Sequence, residues 1–145
     1  MGISNAIDIS VSGIIAERTR LELIASNIAN INTTNSVGGG PYKRKILSCF
    51  EKPLSFEREL ALAQGRIGAM GGVGFKIIED NSAPMQKMFN PGHPDADKNG
   101  YVTLPNVSMA TEMTDLILTG KMYEANITVL NAARKMNQET LAILQ

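Results

Sequence analysis

Few residues in this sequence have side chains that could carry out chemistry. His93 is the single histidine and Cys49 the single cysteine among 145 residues. This count does not make up a zinc site, and one cysteine cannot form an intramolecular disulfide. His93 stands between Gly92 and Pro94, which predicts a loop position, and no serine or cysteine in a nucleophile context accompanies it. Cys49 falls in a strand pattern, so we expect it to be buried by packing. These residues predict neither an enzyme nor a metal or cofactor site.

One stretch of the sequence approaches a calcium-binding loop. Residues 95–100 read Asp-Ala-Asp-Lys-Asn-Gly, which matches the first half of such a loop. The twelfth position requires a bidentate glutamate, but it is occupied by Asn106, and Pro94 and Pro105 flank the stretch. We therefore expect a polar turn whose side chains bond to the backbone, and no calcium site.

The composition excludes several classes of protein. Lys and Arg total 14 and Asp and Glu total 14, and this zero net charge argues against nucleic-acid binding. Hydrophobic residues make up 43% of the chain, which predicts a folded protein. The apolar runs are too short to cross a bilayer, and no lipid anchor is predicted. The first basic residue is Arg18, so we do not expect a cleaved signal peptide.

Hydrophobic periodicity predicts a long helix over residues 4–30. Its apolar positions alternate between spacings of four and three residues, which is the pattern of a heptad seam, and Arg18 interrupts it. A second apolar group lies off this seam, so more than one face needs to be covered. The seam residues that we expect at an assembly interface are Ile7, Val11, Ile14, Leu21 and Ile28.

The same periodicity predicts a longer helix over residues 108–144, with Ser108 as its N-cap. A parallel apolar stripe that includes Leu118, Met122, Val129 and Met136 runs beside its main seam. Two helices with this much apolar surface cannot cover each other as an isolated hairpin, which indicates an assembling structural protein. The expected interface residues on this helix are Met113, Leu116, Tyr123, Ile127, Leu130 and Leu141.

The middle of the chain is rich in glycine and proline and predicts short strands. We expect strands over 42–50, 74–79 and 85–89, a short helix or loop over 55–63, and a glycine-rich turn over 65–74. The predicted fold class is α+β, with long terminal helices around a small, mostly β region. The predicted division is 1–34, 35–107 and 108–145.

Asparagines punctuate both predicted helices. Asn27 and Asn30 close the first helix, and Asn126 lies near the middle of the second. Two interpretations are open. These side chains lie on an ordinary helix surface, or they set the register of an assembly of several helices, as a buried asparagine does in coiled coils.

Several motifs resemble those of bacterial flagellar axial proteins. Residues 12–30 resemble the N-terminal helix of that family, with the segment Asn27-Ile-Ala-Asn30 followed by Thr33-Thr34. The stretch Gly40-Pro-Tyr-Lys-Arg-Lys45 is similar to the start of the central region of the proximal-rod family within that class. The C-terminal signature of the same family is matched by residues 90–107, Glu112-Met113 and Tyr123-Glu-Ala-Asn126.

This resemblance implies a structural subunit of the proximal rod of the flagellar basal body. It implies that the terminal helices pair in a coiled-coil-like layer and that subunits stack helically around the export channel and transmit torque. The implied partners are copies of the chain, other rod proteins, the basal-body membrane ring complex and the flagellar type III export apparatus. The implied location is the basal body in the periplasmic space, reached without a cleaved signal peptide. The alternative is a cytoplasmic coiled-coil adaptor or export chaperone, which would form a stable small oligomer.

Overall fold

The computed structural model describes residues 2–36, 38–52, 60, 64 and 72–143. The expectations for 55–63 and 65–74 lie largely outside these residues. Within the described residues there are two long helices and four short strands, so the predicted α+β class is confirmed.

The two helices are α1, Gly2–Ala29, and α2, Met109–Ile143. Ser108 precedes α2, and its carbonyl accepts a hydrogen bond from the Glu112 N–H at 3.0 Å, as expected of an N-cap residue. Asn30 follows α1, and its side-chain Nδ2 donates to the Ser26 carbonyl at 2.8 Å, which satisfies a carbonyl in the last turn. Both predicted helices are therefore confirmed. In the described part of the chain, neither helix is long and apolar enough to cross a membrane.

The four strands are β1, Lys45–Glu51; β2, Val73–Glu79; β3, Gln86–Phe89; and β4, Tyr101–Leu104. Strand β1 pairs with β2, and β3 pairs antiparallel with β4 in a register that places Phe89 opposite Tyr101. The first three strands confirm the sequence prediction. Strand β4 was not predicted as a strand, because its four residues sit next to turn residues and are too few for a clear alternation.

The turn between β3 and β4 is the predicted polar turn over 95–100. The Asp97 carboxylate accepts hydrogen bonds from the N–H groups of Asn99 at 2.8 Å and Tyr101 at 3.0 Å. These N–H groups, that of Tyr101 first, hold the pKa of the Asp97 carboxyl below its ordinary value. Gly100 has a φ of +78°, a left-handed conformation that glycine adopts without strain. No set of metal-ligating side chains is found among the described residues.

Cys49 lies in β1 as predicted, but its side chain is exposed, so the expectation of burial is wrong. Residues 48–51 are all exposed. An alternating pattern predicts which face of a strand a residue takes. It does not predict whether that face is covered by another layer.

The chain forms two compact units, each built from segments that are distant in the sequence. Unit 1 comprises Met1–Thr19, Ser48–Lys76 and Thr119–Gln145, and unit 2 comprises Arg20–Leu47 and Ile77–Leu118. The expected division into 1–34, 35–107 and 108–145 stays a prediction.

Each unit has its own contacts between segments. In unit 1, the Ser12 hydroxyl accepts a hydrogen bond from the Val73 N–H at 3.0 Å. A Cβ built on Gly13 would lie 3.5 Å from Asn126 Nδ2, so α1 and α2 approach each other closely there. In unit 2, the buried apolar side chains are Ile24, Tyr42, Val102, Pro105 and Val107.

Candidate functional site: a polar junction in unit 2

A buried set of polar side chains joins α1, α2 and the segment between them within unit 2. We call Asn27, Tyr42, Arg44, Asn106 and Glu112 the polar junction. Asn27 lies in the last turn of α1, and Glu112 lies in the first turn of α2, where its charge suits the helix dipole. Tyr42 and Arg44 precede β1, and Asn106 lies between β4 and α2. The junction therefore collects residues from four separate stretches of the sequence.

Asn27 uses its full hydrogen-bonding capacity while only 1% of its surface is exposed. Its Oδ1 accepts from the Tyr42 hydroxyl at 2.9 Å and from the Lys45 N–H at 3.0 Å. Its Nδ2 donates to the Lys45 carbonyl at 2.9 Å and to Glu112 Oε2 at 3.1 Å. A side-chain amide has two donors and two main acceptor positions, and all four are used here. Asparagine thus fits this position because both kinds of partner surround it.

Glu112 is a fully buried carboxylate, 0% exposed, and Arg44 compensates its charge. Arg44 Nε donates to Glu112 Oε1 at 2.6 Å, while Arg44 Nη2 donates to Asp115 at 2.9 Å. Asp80 lies 3.7 Å from Arg44 Nη1. Burial lowers the pKa of Arg44, but the hydrogen bond and charge of Glu112, together with the charges of Asp115 and Asp80, outweigh burial and raise it. The guanidinium therefore stays charged where it binds Glu112.

Asn106 holds the backbone around Arg44 in place. Its Oδ1 accepts from the Arg44 N–H at 2.8 Å, and its Nδ2 donates to the Asp80 carbonyl at 2.7 Å. The Asp80 N–H in turn donates to the Arg44 carbonyl at 2.8 Å. In the described part of the chain, no buried side-chain nitrogen or oxygen lacks a hydrogen-bond partner. A fully satisfied buried network of this kind rigidifies the region around it.

Asp80 has a second set of partners beside the junction. The Ser82 hydroxyl donates to Asp80 Oδ1 at 2.5 Å, and the Ser82 N–H donates to the same oxygen at 2.9 Å. These bonds, the hydroxyl first, hold the pKa of the Asp80 carboxyl below its ordinary value. Asp80 therefore stays ionised next to Arg44.

The polar groups of the junction bind to one another and to the nearby backbone. The Glu112 carboxylate binds the Arg44 guanidinium and the Asn27 amide, and the Asn106 amide binds the backbone around Arg44. The arrangement fixes the end of α1, the start of α2 and the entry to β1 in one geometry.

Most of the predicted interface residues lie outside the junction. On α1, Ile7, Ile14, Leu21 and Ile28 are half-buried and Val11 is exposed, whereas the buried residues between 7 and 29 are Ala16, Ile24 and Asn27. On α2, Met113, Leu116 and Leu141 are exposed, and Tyr123, Asn126, Ile127 and Leu130 are half-buried. The assembly interface stays a prediction, and it depends on the residues other than Asn27, which is enclosed by its own subunit.

The three predicted asparagines have different environments. Asn27 belongs to the junction, Asn30 accepts a hydrogen bond from the Thr33 hydroxyl at 3.2 Å, and Asn126 lies beside Gly13. Sequence reasoning missed Tyr42, Arg44, Asn106 and Glu112 as functional residues. The available signal was that all four fall in stretches that carry the family resemblance.

Comparison with known proteins places the chain in a class. A family model described as flagella basal body rod protein matches residues 7–35. A second, described as flagellar basal body rod FlgEFG protein C-terminal, matches residues 98–143. These matches cover most of α1 and all of α2, and they include Asn27 and Glu112.

Relatives match over nearly the full length of the chain. The flagellar basal-body rod protein FlgC of Borreliella burgdorferi is 36% identical, over 100% of this chain and 99% of its own. FlgC of Salmonella typhimurium is 35% identical over 100% of both chains, and FlgC of Bacillus subtilis is 35% identical over 96% of both.

The chain is thus a flagellar basal-body rod protein, as its sequence motifs indicated. Within that class it belongs to the FlgC family. It is a structural subunit of the basal-body rod.

Proposed function

We propose that this chain forms part of the proximal rod, where copies of it assemble helically around the export channel together with other rod proteins. In this proposal the subunits connect the basal-body membrane ring complex to the distal rod and transmit torque between them. Their role is architectural and not enzymatic. Membership in the FlgC family supports the proposal, and so does the apolar surface that α2 leaves exposed.

The observation that carries this proposal is a row of exposed apolar side chains on α2 in unit 1. Met122, Val129 and Met136 are 43%, 56% and 59% exposed, and they are spaced seven residues apart. Residues one heptad apart lie on one face of a helix, so the three form a single row, which we call the α2 row. Soluble monomers rarely expose large contiguous apolar patches. A neighbouring subunit is the partner that this row fits, and methionine adapts well to non-identical neighbours.

We also propose that α1 and α2 pair in the coiled-coil-like layer that the resemblance implies. The helices approach each other at Gly13 and Asn126 in unit 1, and at Asn27 and Glu112 in unit 2. A close approach of the two helices within each unit is what such pairing requires.

The proposed location is the basal body within the periplasmic space. The subunit would reach it through the flagellar type III export apparatus, without a cleaved signal peptide, and would bind neither nucleic acid nor lipid there. Family membership supports this part of the proposal. The competing function, a cytoplasmic coiled-coil adaptor or export chaperone, would require a stable small oligomer of the isolated chain, which sedimentation would detect.

The rod proposal is tested by placing a charge in the α2 row. In cells that produce only the Val129→Asp variant, the subunit should be exported but the rod should not be completed, so the cells should not swim. Burying an unpaired carboxylate in an apolar contact costs several kcal/mol, and protonating the carboxylate so that it can be buried costs about as much. Asn131→Asp adds the same charge at an exposed position two residues away and should leave swimming normal. Normal swimming of cells with Val129→Asp at ordinary expression would contradict the proposal.

A further inference from the structure

We propose that the polar junction is a latch that makes three distant segments of unit 2 fold and open as one cooperative body in the free subunit, before any neighbour binds. The three segments are the end of α1 (20–29), the entry to β1 (42–47) and the start of α2 (109–118). This inference concerns the isolated chain and does not depend on the proposed place in the rod.

The first support is that each pair of segments is joined directly. Asn27 joins the end of α1 to the start of α2 through Glu112, and it joins the entry to β1 through Tyr42 and Lys45. The ion pair of Arg44 with Glu112 joins the entry to β1 to the start of α2. Each of the three segments is thus bonded to both of the others, so no segment can leave without breaking its contacts with both.

The second support is the cost of partial opening. If the entry to β1 undocks while the helices stay together, Glu112 keeps its place between α1 and α2 but loses Arg44. Removing one partner from a buried pair leaves an uncompensated charge, which is far less favourable than either the intact pair or a solvated carboxylate. If the end of α1 leaves instead, the Tyr42 hydroxyl and one Glu112 oxygen lose their partner. States with one segment open are therefore disfavoured relative to the fully closed and fully open states, which is the definition of a cooperative unit.

The third support is the distribution of buried apolar side chains. Ile24 from α1, Tyr42 from the entry to β1 and Val107 from just before α2 are all buried within unit 2. The polar junction thus lies beside buried apolar side chains from the end of α1, from the entry to β1 and from the stretch that leads into α2.

The test is hydrogen exchange on the full-length monomeric protein, read by mass spectrometry of peptides. Segments 20–29, 42–47 and 109–118 should be protected, and the free energy of opening derived from their protection factors should be the same for all three. Glu112→Gln removes the charge and leaves one mismatched hydrogen bond, so all three segments should lose protection together, by about tenfold or more. Glu124→Gln is the matched control, because Glu124 is an exposed α2 carboxylate that is paired with Lys121 at 3.0 Å. It should leave the protection of the three segments unchanged.

Arg44→Lys is a milder variant that keeps the positive charge but replaces the planar guanidinium, which binds Glu112 through Nε and Asp115 through Nη2, with a single ammonium nitrogen. It should lower the protection of all three segments. This includes 20–29, because Arg44 binds Glu112, which in turn binds Asn27. A loss confined to 42–47 and 109–118 would overturn the proposal, as would different opening free energies for the three segments in the unchanged protein. If Glu112→Gln unfolds the whole chain, the proposal is tested by Arg44→Lys alone, by whether all three segments lose protection together.

Discussion

The side-chain amide of Asn27 donates a hydrogen bond to the Glu112 carboxylate at 3.1 Å, although 85 residues separate the two positions. The first asparagine of the Asn-Ile-Ala-Asn segment therefore does not serve the surface of its own helix. It meets the first turn of the C-terminal helix inside the subunit. Asn27 is therefore not on an ordinary helix surface, and its contact between helices lies within one subunit; a role of the asparagines in setting the register of an assembly stays a prediction.

Asn27→Asp should destabilise the protein at neutral pH by about 3 kcal/mol or more, because a carboxylate oxygen would replace the Nδ2 donor and face both Glu112 and the Lys45 carbonyl. Burial and the Glu112 charge would raise the pKa of the introduced carboxyl in the folded state. The Tyr42 hydroxyl, which is a hydrogen-bond donor, also lies beside residue 27, and the Arg44 guanidinium binds Glu112. Urea unfolding at neutral pH measures the loss.

The pH dependence of the stability of Asn27→Asp provides a second test. A carboxyl whose folded pKa is raised contributes stability that is present below its unfolded pKa of about 3.9 and is lost as the pH rises through the folded pKa. The deficit of Asn27→Asp against the unchanged protein should therefore shrink as the pH falls from 7 towards about 4. Asn131→Asp, at an exposed position on α2, should show almost no deficit at either pH. A deficit for Asn27→Asp that does not vary with pH would mean that the introduced group is not held against Glu112.

The long helices could be predicted from the sequence because the signal for a helix is local. A period of four and three residues sustained over both ends of the chain leaves little choice of structure. The polar junction could not be predicted in the same way. The partners of Asn27 come from positions 42, 45 and 112, and their meeting is a property of the tertiary fold. Residue types at those positions allow hydrogen bonds but do not say with which partner.

Gly100→Ala should destabilise the β3–β4 turn by about 1–2 kcal/mol, because a side chain at a φ of +78° is strained. The added Cβ would also lie 2.9 Å from the Phe89 ring. Thermal unfolding followed by circular dichroism measures the change. Gly92→Ala, in the same turn, meets no atom closer than 3.8 Å and has no positive φ, so it should be tolerated. Equal stability of the two variants would argue against the turn geometry described for Gly100.

Asp97→Asn should make the protein less sensitive to acid. The N–H groups of Tyr101 and Asn99 hold the pKa of Asp97 below its ordinary value, so its contribution to stability is present above about pH 3.9 and is lost as the pH falls through the folded pKa. Asparagine keeps an acceptor oxygen but does not titrate. Between about pH 5 and 2, the urea midpoint should therefore fall less steeply for Asp97→Asn than for the unchanged protein. Asp8→Asn, which removes an exposed carboxylate on α1, is the control, and an identical slope for all three proteins would refute this role of Asp97.

Cys49 shows where reasoning from local pattern fails. Its place in a strand was predicted correctly, but burial depends on whether another layer covers that face, and the alternation of residues carries no information about that layer. The exposed α2 row is the converse case. Its apolar spacing alone would predict a buried face, and in the single subunit it is uncovered. Both cases show that burial is decided by neighbours, within the chain or beyond it.

If the α2 row packs against neighbouring subunits in the rod, its side chains should be inaccessible to reagents there, and thiol labelling measures this accessibility. Val129→Cys and Lys98→Cys would each be made in a Cys49→Ser background, so that one exposed cysteine is present in each protein. In the free subunit both cysteines should react readily with a maleimide. In intact basal bodies from motile cells, the cysteine at 98, in the exposed β3–β4 turn, should still react, and the cysteine at 129 should be protected. Labelling at 129 as fast in basal bodies as in the free subunit would contradict the account.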